Sequence, residues 1–342
     1  MIPFVRQMDF QYGVAERVSP LIRRVVANNP GPYTFLGTGT YIVGQGEVAV
    51  IDPGPSLPDH LDAILASLNP HERVTHIILT HHHADHSPLG ASLRERTGAS
   101  TYGRSVADDP SGGTIEFGCP IDIELKGSGE ELRGPNWTLQ AIHTPGHTSN
   151  HLCFALPQEN ALFSGDHVMG WATTVVSPPD GDMGAYMSSL SKIRERAFST
   201  LWPTHGPPIR EVNPFIDAYI EHRREREAQV LAALGSEGLS VEELVSSIYI
   251  GLDTGLRRAA GRTVSGHLTD LVRRGEVLVD EAREGERLYR IRSLEPSAHP
   301  HHQAGQGSWA QPCVTAAMDE NSILSYGASI GGLILPRKSG RG

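Results

Sequence analysis

Seven side chains in the first 210 residues have the types and the spacing to hold metal ions. His81, His83, Asp85 and His86 lie in THHHADH (80–86), His147 in HTPGHTSNH, Asp166 in FSGDHV and His205 in WPTHGPP. Zinc and similar borderline cations take imidazole nitrogen and carboxylate oxygen. Five histidines and two carboxylates are enough for two such ions with room left for water. In an extended segment side chains alternate, so His81 and His83 point to one side and His82 to the other. Asp85 and His86 are consecutive at a turn into a helix and can swing toward a second position. Asp166 has two oxygens and can bridge two cations about 3.5–4 Å apart, the separation of two-metal hydrolytic sites.

Each of these residues sits where a strand is expected to end. YIVGQGEVAVIDPG reads as two short strands around a Gln45-Gly46 turn, LPDHLDAILASL as a short amphipathic helix, and RVTHIILT as a buried strand that stops at Thr80. SPLGASLRERTG reads as a helix closed by Gly98, and residues 110–136 as loop with one strand, IDIEL. WTLQAIHT, HLCFALP and ALFSGD are three more strands. Met183, Tyr186, Met187, Leu190 and Ile193 fall at helical spacing, and STLWPTHGPP is a strand running into a loop. The texture then changes. A helix is expected from Asn213 as N-cap and Pro214 at its first position to Gly235 past its end, then one opened by a Ser240–Glu243 capping box, then TVSGHLTDLVRRG. A hairpin turning at 283–285 follows. Helices followed by a hairpin are the pattern of a winged helix. Domain limits are expected at 1–209, 210–295 and 296–342, the last a tail rich in Gly, Pro and Ser without periodicity.

Composition narrows the chemistry. With 342 residues the chain can bury one large and one small core, and a net charge of −10 argues against duplex nucleic acid held by bulk electrostatics. Cys119, Cys153 and Cys313 are too few and too far apart for a disulfide framework or a cysteine-based zinc knuckle. MIPFVRQMDFQYG has no basic region leading into an apolar run, so no signal peptide or membrane span is expected, and the cytoplasm is the expected compartment.

The ordered set His81-x-His83-x-Asp85-His86, His147, Asp166, His205 resembles the ligand motif of the metallo-β-lactamase superfamily. NPGPYTFLGTGTYIVG, THHHADHS, TPGHTSNH, SGDHVMG and THGPPI, followed by a winged helix, are similar to its β-lactamase-like protein 2 branch over roughly residues 20–295. The animal member of that branch is a mitochondrial endoribonuclease. The resemblance implies an α/β protein: an αββα sandwich of two mixed sheets with a C-terminal winged-helix domain and the metals at one edge. It implies that His81, His83 and His147 hold one metal, that Asp85, His86 and His205 hold the other, and that Asp166 bridges. The metals are expected to be two divalent ions, zinc first, with manganese or iron as alternatives.

The implied enzyme is a binuclear metal-dependent hydrolase that uses a bridging hydroxide, with Asp85 accepting a proton. Its substrate is a phosphodiester of single-stranded RNA or a small thioester or ester. The alternatives are a mononuclear iron persulfide dioxygenase and a non-catalytic metabolite-binding module. True β-lactamases of the superfamily lack the bridging aspartate, and the oxygen-reducing diiron branch has Glu where this chain has His83. Both readings are weakened. A homodimer is left open, and neither a membrane nor duplex DNA is an expected partner.

Other polar residues read more plainly. His82 is expected not to be a ligand. His143 and His167 are expected to be structural, and His299, His301 and His302 to lie in a solvated tail. Asp52 either caps a turn or orients a ligand, and His151 and Thr148 are candidates for the same orienting role. Trp171, Thr173 and Thr174 are expected to line the substrate mouth. Residues 210–292 hold 13 Arg, no Lys and 15 Asp plus Glu, so the winged helix lacks the basic footprint of a duplex reader.

Overall fold

The structure, a computed structural model, describes residues 1–106, 118–251, 254–281 and 287–292. The first sheet contains β1 (Glu16–Arg17), β2 (Ile22–Val26), β3 (Gly39–Val43), β4 (Glu47–Ile51), β5 (Arg73–Ile78), β6 (Ser100–Gly103) and β7 (Ile123–Glu124), in that order. The strands are antiparallel from β1 to β4 and parallel from β4 to β7. The second sheet contains β8 (Ser128–Arg133), β9 (Thr138–His143), β10 (Leu152–Leu156), β11 (Ala161–Gly165) and β12 (Thr200–Pro203), with β12 parallel to β11 and the rest antiparallel. β9, β11 and β12 therefore run the same way and end at one edge. β4 and β5 likewise end together.

The sheets face each other across Ile22, Tyr41, Ile51, Leu139, Phe154, Phe163 and Trp202. Helices α1 (Pro58–Ala66) and α2 (Leu89–Thr97) cover the outer face of the first sheet through Leu61, Ile64, Leu89 and Leu93. Helices α3 (Met183–Glu195) and α4 (Val212–Ala233) cover the second through Tyr186, Leu190, Ile193, Ile216 and Tyr219. This is the αββα sandwich that the sequence resemblance implies. Among the described residues no helix is long and apolar enough to cross a membrane.

Two compact units divide the chain: Met1–Ala228 with Ser265–Asp270, and Gln229–Val264 with the residues from Leu271 onward. The second unit contains α5 (Val241–Ile248), both ends of α6 (Thr254–Arg273) and a hairpin of β13 (Val277–Glu281) and β14 (Arg287–Ile291). The Ser240–Glu243 capping box forms with both hydrogen bonds present, so the expected helix start is real. The buried apolar residues of this unit include Leu244, Val245, Val264, Leu271 and Val277.

Several elements differ from the sequence reading. β2 was not anticipated because Arg23 and Arg24 interrupt its apolar run. Both are buried and neutralised: Arg23 pairs with Glu72 at 2.8 and 3.0 Å, and Arg24 with Glu16 at 3.1 Å. β8 crosses a stretch expected to be loop, since its SGEELR segment is a polar edge strand with no alternation to read. Asn213 does not cap α4. The helix opens at Val212, and the Asn213 Oδ1 is buried without a hydrogen bond. α6 starts at Thr254, well before the expected segment. The turn at 283–285, the region from 296 onward and the histidines at 299–302 lie outside the described residues.

Candidate metal centre

The loops leaving β5, β9, β11 and β12 bring all seven expected side chains to one edge of the sandwich. His81 Nε2 lies 2.9 Å from His83 Nδ1, and His147 Nε2 lies 3.1 Å from the same atom. These three residues and Asp166 present ligand atoms within 4.8 Å of one another, and Asp85, His86 and His205 form a second such group. In the second group Asp85 Oδ2 is 3.0 Å from His205 Nε2 and 3.4 Å from His86 Nε2. Asp166 reaches both groups. Its Oδ2 is 3.6 Å from His147 Nε2 and 3.5 Å from His86 Nε2, and its Oδ1 is 3.4 Å from His205 Nε2.

The outward-facing atoms of these ligand candidates are held by a layer of hydrogen bonds. Asp52, at the end of β4, accepts from the Thr80 amide at 2.8 Å, from the Thr80 and Thr204 hydroxyls at 2.8 and 2.9 Å, and from His86 Nδ1 at 2.9 Å. Its φ of 48° is uncommon for a non-glycine residue, and these four bonds fix it there. Because the Thr80 hydroxyl donates to Asp52, it accepts from His81 Nδ1 at 3.0 Å. His147 Nδ1 donates to the Val175 carbonyl at 2.6 Å and His205 Nδ1 to that of Gly37 at 3.2 Å. His151 Nε2 accepts the Asp166 amide at 3.2 Å while its Nδ1 meets the Thr144 hydroxyl at 2.9 Å. This network puts the hydrogen of His81 and His147 on the outward nitrogen and leaves their inward nitrogens without one, while His86 and His205 turn Nε2 toward the carboxylates.

Such an arrangement calls for cations. His83 Nδ1 faces two unprotonated nitrogens, so the three atoms share one hydrogen at most. His86 Nε2, His205 Nε2 and Asp166 Oδ1 are buried and make no hydrogen bond. Burial, then neighbouring His86, His83 and His147, hold the His81 imidazole well below its ordinary value, and burial followed by His147 pushes His83 down to about 3. The three imidazoles of the first group are thus neutral and ready to donate lone pairs. Burial also works against charge on His86 and His205. The carboxylates of Asp85, Asp166 and Asp52 around His86, and of Asp166 and Asp85 around His205, outweigh it and raise both. Burial alone would raise Asp85 and Asp166. Instead His86 and His205 beside each of them hold both carboxyls well below the usual range. The donor set and its charge fit divalent cations.

Other expectations resolve individually. His82 turns away from both groups and meets Asn150 Oδ1 at 3.0 Å. His143 Nε2 donates to the Ser149 carbonyl at 3.0 Å, and His167 is buried against the Tyr186 ring, 4.9 Å between centroids. Thr148 donates to Asn150, not to a ligand candidate. Thr174 does not line a mouth, since it is buried and its hydroxyl donates to the Asp166 and His167 carbonyls at 2.8 and 3.1 Å. Trp171 stacks on Phe35 at 4.8 Å. Sequence reasoning missed Thr204 and the Gly37 and Val175 carbonyls. Backbone acceptors carry no residue signature, and Thr204 had only its place beside His205.

Comparison with known proteins identifies the family. Residues 33–205 match the metallo-beta-lactamase superfamily profile, and residues 240–285 match the beta-lactamase associated winged helix domain. A beta-lactamase-like protein 2 homolog of Caenorhabditis elegans is 33% identical over 77% of this chain and 88% of its own length. An atrochrysone carboxyl ACP thioesterase of Claviceps purpurea is 32% identical over 68% of this chain and 74% of its own. Among solved structures, a beta-lactamase domain protein from Burkholderia ambifaria shares the fold. Its TM-score is 0.72 at 20% identity, with 85% of this chain and 97% of that chain covered. The chain therefore belongs to the metallo-β-lactamase superfamily, as a metal-dependent hydrolase.

Proposed function

We propose that this chain hydrolyses small thioester or carboxylic ester substrates with two divalent cations, zinc by preference. The position of Asp166 carries the reading, because its two oxygens lie within 3.4–3.6 Å of histidines from both ligand groups. His81, His83 and His147 would hold one cation, Asp85, His86 and His205 the other, and Asp166 both. The similarity to a Claviceps purpurea thioesterase favours an acyl substrate. So does the balance of 13 Arg against 15 Asp plus Glu over residues 210–292, which offers a polyanion little. A catalytic domain at 1–209 and a helical linker with winged helix at 210–295 belong to the same proposal.

When bound, the cations would supply hydroxide at neutral pH and counter charge on the acyl oxygen. The chain supplies the rest. Asp85 retains 27% exposure of its side chain where Asp166 retains 9%, so Asp85 is the carboxylate with access to an incoming molecule. Its position at the edge of the ligand groups places it to accept a proton during attack. No cysteine competes as nucleophile among the described residues. Burial pushes the Cys153 thiol up to about 12 and that of Cys119 to about 11.

Metal analysis together with a panel of S-lactoylglutathione, acyl-CoA, bis-p-nitrophenyl phosphate, short RNA and nitrocefin tests the reading. Two zinc ions per chain and chelator-sensitive thioester turnover are expected. Asp85→Ala is expected to lower kcat by about a hundredfold or more. One iron per chain with oxygen uptake on a persulfide would replace the hydrolase with a dioxygenase. Cleavage of RNA alone would shift the substrate to a phosphodiester.

A further inference from the structure

The segment between Asp166 and His147's acceptor at Val175 is gripped at its carbonyls by three buried side chains from α3 and α4. Tyr186 Oη donates to the His167 carbonyl at 2.8 Å. Tyr219 Oη lies 2.6 Å from the Met169 carbonyl and 2.5 Å from that of Ala172, and it accepts the Met169 amide at 3.3 Å. Arg223 donates through Nη2 to the Thr174 carbonyl, and its guanidinium carbon lies 5.4 Å from the Tyr186 ring centroid.

Arg223 is the unusual member. It is 2% exposed, and its Nε has no hydrogen-bond partner. A guanidinium buried on these terms is unfavourable for the fold unless its position is used. Two connections lead from it to the ligand groups. Thr174, whose carbonyl it holds, sends its hydroxyl to the Asp166 carbonyl. Val175, the next residue, supplies the carbonyl that orients His147. His147 and Asp166 are two of the four members of the first ligand group. The histidines of the second group, His86 and His205, are oriented instead by Asp52 and Gly37.

We propose that Arg223 is a positioning residue for the first metal: by fixing the Thr174–Val175 backbone it aims His147, which serves the first group alone, while His86 and His205 are oriented independently. The inference rests on the two-metal reading above. It predicts an asymmetry that general destabilisation would not produce. Zinc titration of the chelator-stripped full chain, with a chromophoric competitor, is expected to give two binding constants for the unaltered protein. Arg223→Met is expected to weaken one of them by at least about tenfold. The weakened constant should be the one that His83→Ala abolishes, with the other unmoved. Thr174→Val removes the hydroxyl that meets the Asp166 carbonyl, and because Asp166 lies against both groups it should weaken both constants. If Arg223→Met does not fold, Arg223→Lys decides, its single donor group leaving the first constant weakened by less than Arg223→Met would. Unchanged constants in a folded Arg223 variant, or equal weakening of both, would overturn the role of Arg223. Fewer than two zinc ions on the unaltered protein would overturn the two-metal reading and this inference with it.

Discussion

At the scale of the residue, THHHADH contains four histidines whose neighbours make them different groups. His81 and His83 face the same point because an extended chain alternates, and the atoms converge at 2.9 Å. His82, between them, is committed to Asn150. His82→Ala should therefore leave zinc content within about a tenth of the unaltered value, while His83→Ala should lose about half of it, since one of two sites loses a central donor. Inductively coupled plasma analysis of both purified variants settles this. Equal loss in the two would mean that alternation had been misapplied. The alternation was legible from the sequence. The choice between turn cap and ligand support at Asp52 was not, because its partners Thr80, His86 and Thr204 lie 28, 34 and 152 residues away from it and meet it only through the fold.

At the scale of the element, legibility followed the physics of each segment. β5 reads clearly because Val74, Ile77 and Ile78 need a buried strand, and the Ser240–Glu243 box reads clearly because both of its hydrogen bonds are local. β2 was hidden by arginines whose burial depends on Glu72 and Glu16, and β8 by an edge strand's polarity. Asn213 was a sound local cue that tertiary packing overrode. The turn before His147 shows how tightly an element end can be specified. Gly146 has φ 140°, and a β-carbon there would stand 2.4 Å from the Tyr186 Cα and 2.5 Å from its Cβ. The obstruction includes helix backbone, which cannot swing aside. Gly146→Ala is expected to cost about 2–4 kcal/mol, from backbone strain together with overpacking. A urea midpoint within experimental scatter of the unaltered protein would show that α3 yields more easily than its packing indicates.

At the scale of the whole molecule, the many histidines have a consequence for stability that is separate from the metals. His60, on α1, is buried with its Nε2 bonded to the Thr40 hydroxyl at 2.8 Å and its Nδ1 bonded to nothing. The Thr40 hydroxyl already donates to the Asp52 carbonyl, so it can only accept from His60. A second proton on the ring would therefore be a buried, unpaired charge. Burial accordingly pushes this imidazole down to about 4 from an ordinary 6.5. Between those values the unfolded chain binds the proton and the folded chain does not. Stability must then fall as pH drops from about 6.5 to about 4, and the loss from this group levels off below that. The shift corresponds to roughly 3 kcal/mol at most. His60→Gln retains a donor for Thr40 and does not titrate. Compared across pH 7 to 4.5 in chelator, it should lose stability less steeply than the unaltered protein, whatever the difference in their midpoints at pH 7. The site histidines are common to both chains and cancel in that comparison. Parallel stability curves over this range would mean that the folded protein accommodates the proton on His60, and that the origin of acid sensitivity must be sought elsewhere among its buried imidazoles.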